Sequence, residues 1–134
     1  MTEIISNIDG KLLHRFISKE DIKDGRFDIS SSTEPLQLAT LSLVNGQTFK
    51  PHYHIKNIRI ITITQEAWVV IEGKIKVDYY DIDNKLVGFG LLGAGDCSIT
   101  YRGGHNYTCL SKDALVYEFK TGPYLGQEKD KKFI

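Results

Sequence analysis

The sequence predicts an all-β fold, a sandwich or barrel of short antiparallel strands, on three observations. Turn signals recur about every ten residues along most of the chain, among them Asn45-Gly46, Glu72-Gly73-Lys74 and Gly93-Ala94-Gly95-Asp96. The runs between them are rich in β-branched and aromatic residues, which fit a pleated, half-buried surface. Nowhere does the helical period of a long amphipathic helix appear. The 134 residues are read as a single domain, 1–134, large enough to bury roughly two thirds of its unfolded surface.

Taken in order, Ile4-Ile5 and then Leu12-Leu13 with Phe16-Ile17 flank the turn-like Asn7-Ile8-Asp9-Gly10, which predicts short N-terminal strands. Ser18-Lys19-Glu20-Asp21 is an N-cap pattern and Gly25 a stop, so one helical turn is expected over 18–24, and at most one in the chain. Ser30 to Pro35 reads as a loop and Leu36 to Leu43 as a strand ended by Asn45-Gly46. Thr48 to His54 reads as the next strand, and Ile58 to Ile71 as a long β-branched one that must bend or break. Further strands are expected over 74–80, 86–92, 97–101, 106–110 and 114–120. The charged, aperiodic stretch from Thr121 to Ile134 is expected to lie over the barrel surface or a partner subunit.

Seventeen basic and seventeen acidic residues cancel, and no basic stripe appears, which argues against nucleic acid and anionic membranes as partners. Met1 to Asn7 has no charged region leading into an apolar run, and no stretch approaches the ~20 apolar residues of a membrane span. The protein is therefore expected to be soluble and cytoplasmic. Cys97 and Cys109 are equidistant from the turn at Gly103-Gly104 and could face each other, but two buried reduced thiols are the preferred reading. The strands around Leu12 to Ile17 look suited to pair with a neighbouring subunit, so a homodimer is expected.

The chemistry centres on His52-Tyr53-His54. On an extended strand the two imidazoles share one face, because side chains alternate with period two. Glu66 adds a carboxylate and His105 a third imidazole, a donor set that suits iron, manganese, zinc, nickel or cobalt. Four protein ligands, His52, His54, Glu66 and His105, would leave open positions for a substrate with two neighbouring oxygens. Gln65 is the rival of Glu66, and parity with 52 and 54 favours Glu66. Arg59 could bind a substrate acid group, although a solvated outward side chain is the blander reading. Tyr101 and Tyr107 could line the pocket, while Trp68 is read as core, His14 as structural or exposed, and Glu118 and Lys120 as surface decoration.

These residues carry a family resemblance. Gly46, then His52-x-His54, Glu66 and Gly73, resembles the first signature of the cupin superfamily, and Gly95-Asp96 with Gly103-Gly104-His105 resembles the second. It covers roughly the middle half of the chain. Eleven residues separate His54 from Glu66, well beyond the family's usual spacing, and Tyr101 and Cys109 stand where the second signature has Pro and Asn. The resemblance implies a double-stranded β-helix, or jelly roll, with a divalent transition metal on His52, His54, Glu66 and His105. At such a site His54 and Glu66 are read as the catalytic pair, with Arg59, Gln65, Tyr101 and Tyr107 around a small substrate.

Three functions stay open. One is a metal-dependent isomerase, epimerase, dioxygenase or decarboxylase acting on a sugar, sugar nucleotide or oxo- or hydroxy-acid. Another is a sugar- or acid-binding module without turnover. The third is a metal-free nucleotide-sugar isomerase in which His52 or His54 is the general base. A weaker similarity runs to small cupins of bacterial surface-sugar biosynthesis, through Thr64-Gln65-Glu66, Gly103-Gly104-His105 and Thr121-Gly122-Pro123-Tyr124.

Overall fold

The computed structural model describes residues 1–134 and shows an all-β chain of antiparallel sheets. The strands are β1 (Thr2–Ile5), β2 (Leu12–Ile17), β3 (Gly25–Asp28), β4 (Ala39–Ser42), β5 (Glu66–Glu72), β6 (Ile75–Tyr80), β7 (Leu86–Leu92), β8 (Cys97–Thr100), β9 (Gly104–Cys109) and β10 (Leu115–Lys120). They form a five-stranded sheet in the order β1-β2-β8-β5-β10, a three-stranded sheet β7-β6-β9, and the pair β3-β4. The sheets stay open and do not close into a barrel. No helix is long and apolar enough to cross a membrane.

Alternation sorts the side chains of the five-stranded sheet onto two covered faces. Ile17, Ala67, Cys97 and Ile99 pack with Ile29 and Tyr101 on one face, where Phe27, Leu36 and Leu38 of the β3–β4 region close over them. Val70 on the other face joins Ile75, Val77, Tyr79 and Leu92 of the three-stranded sheet. Every residue of β8 is buried, as expected of a strand enclosed on both sides. The buried hydroxyls of Tyr79 and Ser98 satisfy each other across the two sheets at 3.0 Å.

Most elements from Glu66 to Lys120 fall within a residue or two of the sequence reading. Ser18 caps a 3₁₀ turn at Lys19–Asp21 through a reciprocal capping box with Asp21, inside the expected 18–24 turn. The structure adds β3, which the sequence reading passed over because Gly25 looked only like a helix stop. It also adds a single α-helical turn, α1 (Gln127–Asp130), to the tail.

The largest correction concerns 43–65. The expected strand over Thr48 to His54 does not form, and of Ile58 to Ile71 only the part from Glu66 onward is a strand. The segment has the right residues but makes no ladder bonds, and Pro51 has no N–H to give one. The outer edges of β9 and β10 remain unpaired. A second correction removes the basis on which a homodimer was expected: β2 lies between β1 and β8, so both its edges are filled within the chain. A third concerns the thiols. Both are free, but only Cys97 is buried while Cys109 is exposed. They cannot face each other across a hairpin, because β8 and β9 belong to different sheets.

Candidate functional site

Glu66 opens β5, paired with Thr100 of β8 on one side and Lys120 of β10 on the other. Adjacent strand residues face opposite ways, so Gln65 and Glu66 part company here. Gln65 turns into the β3–β4 side, where its Oε1 accepts from the Leu36 N–H at 2.9 Å. Its amide donates to Glu34 at 2.5 Å and to the Tyr101 carbonyl at 3.4 Å. Gln65 is thus a strut for the 34–36 loop. Glu66 turns toward the other sheet.

Gly103 has φ +75° at the turn into β9, and a Cβ there would lie 2.3 Å from the Tyr80 carbonyl. Only glycine lets the chain pass this close and deliver His105 opposite Tyr79 on β6. His105 Nε2 then lies 3.0 Å from Glu66 Oε1. The same oxygen accepts from Trp68 Nε1 at 2.9 Å. The Lys120 and Lys131 ammonium groups stand 3.5 and 3.8 Å from Glu66 Oε2.

This surrounding decides the charge of Glu66. Burial alone would raise its pKa, but the His105 hydrogen bond and the charges of His105, Lys131 and Lys120 outweigh it and hold the carboxyl at about 2. An ionised carboxylate only accepts, so His105 donates from Nε2 and presents Nδ1 as the other ring nitrogen. That Nδ1 is buried and has no hydrogen-bond partner.

The pair lines a cleft of about 660 Å³. Trp68 and Tyr107 stack in its wall, ring centroids 3.9 Å apart and planes within 4° of parallel. Burial pushes the Tyr107 phenol well above its ordinary pKa, which Ser98 only partly offsets, so it stays neutral. The opposite wall is the tail: Thr64 Oγ donates to Asp130 Oδ1 at 2.9 Å, and Lys120 lies 3.7 Å from Asp130 Oδ2. The tail does lie over the body of the fold, as one of the two sequence expectations had it.

Of the residues singled out from sequence, the cleft gathers Glu66, His105 and Tyr107. His52 and His54 stay on the irregular 43–65 segment, exposed, their rings 5.5 Å apart and His52 Nδ1 2.9 Å from the Lys50 carbonyl. Arg59 is exposed on the same segment, as its blander reading had it. Tyr101 is buried on the far face with its hydroxyl 3.2 Å from Ser30, a core residue. His14 is fully buried, its ring nitrogens 3.0 Å from Thr100 Oγ and 3.3 Å from the Tyr80 carbonyl, as the structural reading expected.

The four residues to which the resemblance assigns a divalent ion are not gathered in this arrangement: Glu66 pairs with His105, while His52 and His54 lie exposed on the 43–65 segment. No three His, Cys, Asp or Glu side chains gather where they could hold one. Two ammonium groups already face Glu66 Oε2, and a further cation there would be repelled. The residues that sequence reading missed are Trp68, Lys120, Asp130 and Lys131. Lys120 was placed on an outer surface, and only the register Lys120↔Glu66 reveals that it points at the carboxylate. Neither a protein-family model, nor a curated protein, nor a solved structure matches the chain.

Proposed function

We propose that the protein is a general acid–base enzyme acting on a small oxygen-rich substrate, a sugar, sugar nucleotide or oxo- or hydroxy-acid, with His105 as the base. The observation that carries the reading is the 3.0 Å His105–Glu66 pair beside the aromatic wall, with Nδ1 left without a partner. A carboxylate that orients an imidazole and stabilises its protonated form is the arrangement that makes histidine an effective base near neutral pH. The reaction class is proton transfer next to a carbonyl, as in an isomerase or epimerase. Nδ1 is sealed from solvent in the closed cleft, so entry of substrate must first uncover it. It then takes the proton from carbon and the electron pair moves into the carbonyl to give an enolate. In an epimerase the imidazolium returns the proton to the opposite face of the same carbon; in an isomerase it returns it to the neighbouring carbon while the adjacent hydroxyl proton passes to the former carbonyl oxygen. The reading keeps the metal-free alternative but moves the base from His52 or His54 to His105.

The finer fold assignment, a double-stranded β-helix, is part of the same reading. It is supported by the packing of β2-β8-β5-β10 against β7-β6-β9 around the Val70–Tyr79 core.

The test is incubation in D₂O with a panel of reducing sugars, sugar nucleotides and oxo-acids, followed by mass spectrometry. Deuterium should enter one carbon-bound position of a substrate, and His105→Gln should stop it while far-UV circular dichroism is unchanged. Exchange that survives His105→Gln but is lost in His54→Ala would overturn the assignment. Binding without exchange would mark a binding module instead.

A further inference from the structure

We propose that residues 127–134 form a latch over the Glu66–His105 cleft, hinged at Gly126, closed by charge and polar contacts, and opening without unfolding of the sheets. The inference concerns access to the cleft and stands whether or not His105 acts as a base.

Three observations point to it. Six of the sixteen residues lining the cleft, from Gln127 to Ile134, belong to this segment, so its position sets who can reach His105. Its hold on the body runs through few polar contacts: Thr64 to Asp130, Lys120 to Asp130, and Lys131 to Glu66. Apolar anchoring adds little: Leu125, Phe133 and Ile134 are all exposed, and only the tip of Ile134 rests near Gly104. Gly126 has φ +98° and nothing within 4 Å of where a Cβ would stand, so the backbone is uncrowded on that side and free of the restraint a side chain imposes. An element held by a few polar contacts, with no sealed apolar face, opens locally at far lower cost than strands enclosed in a core.

The contacts have a further logic. Closing the latch puts the Lys131 ammonium on the Glu66 carboxylate and the Asp130 carboxylate beside the Lys120 ammonium. The charges of body and latch interlock, so closure is electrostatic and salt must weaken it. Raising ionic strength from about 0.01 M to about 1 M shortens the screening length from ~30 Å to ~3 Å.

Trp68 is the chain's one tryptophan and lines the cleft, so its fluorescence reports the latch directly. The experiment is quenching by acrylamide, a neutral probe, on the wild-type chain and on the double variant Asp130→Ala/Lys131→Met, each at low and high salt. Wild-type quenching should rise about twofold with salt, and the variant should be quenched equally and strongly at both. Hydrogen exchange on the wild type supplies a second readout that needs no variant. The Lys131 amide, bonded to the Gln127 carbonyl at 2.9 Å, should exchange through openings insensitive to urea, while the Val70 amide follows global unfolding. Salt-independent quenching in the wild type, a variant quenched like the wild type, or Lys131 and Val70 amides sharing one urea dependence would each overturn the latch.

Discussion

Replacing Glu66 with Gln should destabilise the protein by about 2 kcal/mol at pH 7, and the loss should vanish in acid. The carboxyl has a folded-state pKa of about 2 against an ordinary value of 4.5. A pKa depressed by that much corresponds to about 3 kcal/mol of linkage free energy, and screening at partly exposed Lys131 brings this to about 2. The sign follows from the depression. Above pH 4.5 the group is ionised in both states and its stabilisation is complete. Between 4.5 and about 2 the unfolded chain binds the proton first, so stability falls with pH. Gln cannot titrate, so the wild-type minus variant difference isolates Glu66 from every other acid. The assay is urea unfolding of both proteins at several pH values from 7 downward, with the slope m checked for equality. A difference that stays constant across the window, or a variant as stable as the wild type at neutral pH, would refute the charge cluster.

Other outcomes follow from the same contacts. His14 is held near pKa 4 by burial, against an ordinary 6.5, with the Tyr80 carbonyl offsetting only part. The unfolded chain therefore takes up the proton first as pH falls from 6.5 to 4. Wild-type stability should drop by about 3 kcal/mol over that range, a slope that His14→Gln removes in urea titrations. Gln65→Ala strands the Leu36 N–H and should cost about 2 kcal/mol by thermal or urea unfolding. His52→Ala and His54→Ala change exposed residues and should shift stability by less than about 0.5 kcal/mol and leave any substrate exchange intact.

How much could be read beforehand depended on whether the information was local. Turns such as Asp81 to Lys85, and the alternation on either side of them, placed β6 and β7 almost to the residue, because a hairpin is specified by its own sequence. The β-branched run Ile58 to Ile63 carried the same propensity, yet Ile58 and Ile60 are 91% and 87% exposed. Propensity describes what a strand would tolerate and does not supply a partner edge. At the site, Glu66 and His105 were visible through their glycine spacing. Lys120 was not, since its role arises from a register between strands nearly fifty residues apart, and the charged tail gave no period that would tie Asp130 to Thr64. Trp68 looked like core because size favours burial, but its indole N–H needs an acceptor and finds one in Glu66 Oε1 at 2.9 Å.

The uncoupled 43–65 segment also sets how the protein behaves in a test tube. Nine large apolar side chains between Leu43 and Ile63 meet water, and Leu115, Tyr117 and Phe119 do so along the open edge of β10. The formal net charge is zero at pH 7, so no long-range repulsion keeps two molecules apart. Sticky stretches, free strand edges and isoelectric neutrality together favour self-association through β10, and they make colloidal stability lowest near pH 6.9. Purification well away from that pH restores repulsion, and the second virial coefficient from light scattering should turn from negative to positive as the buffer moves off it.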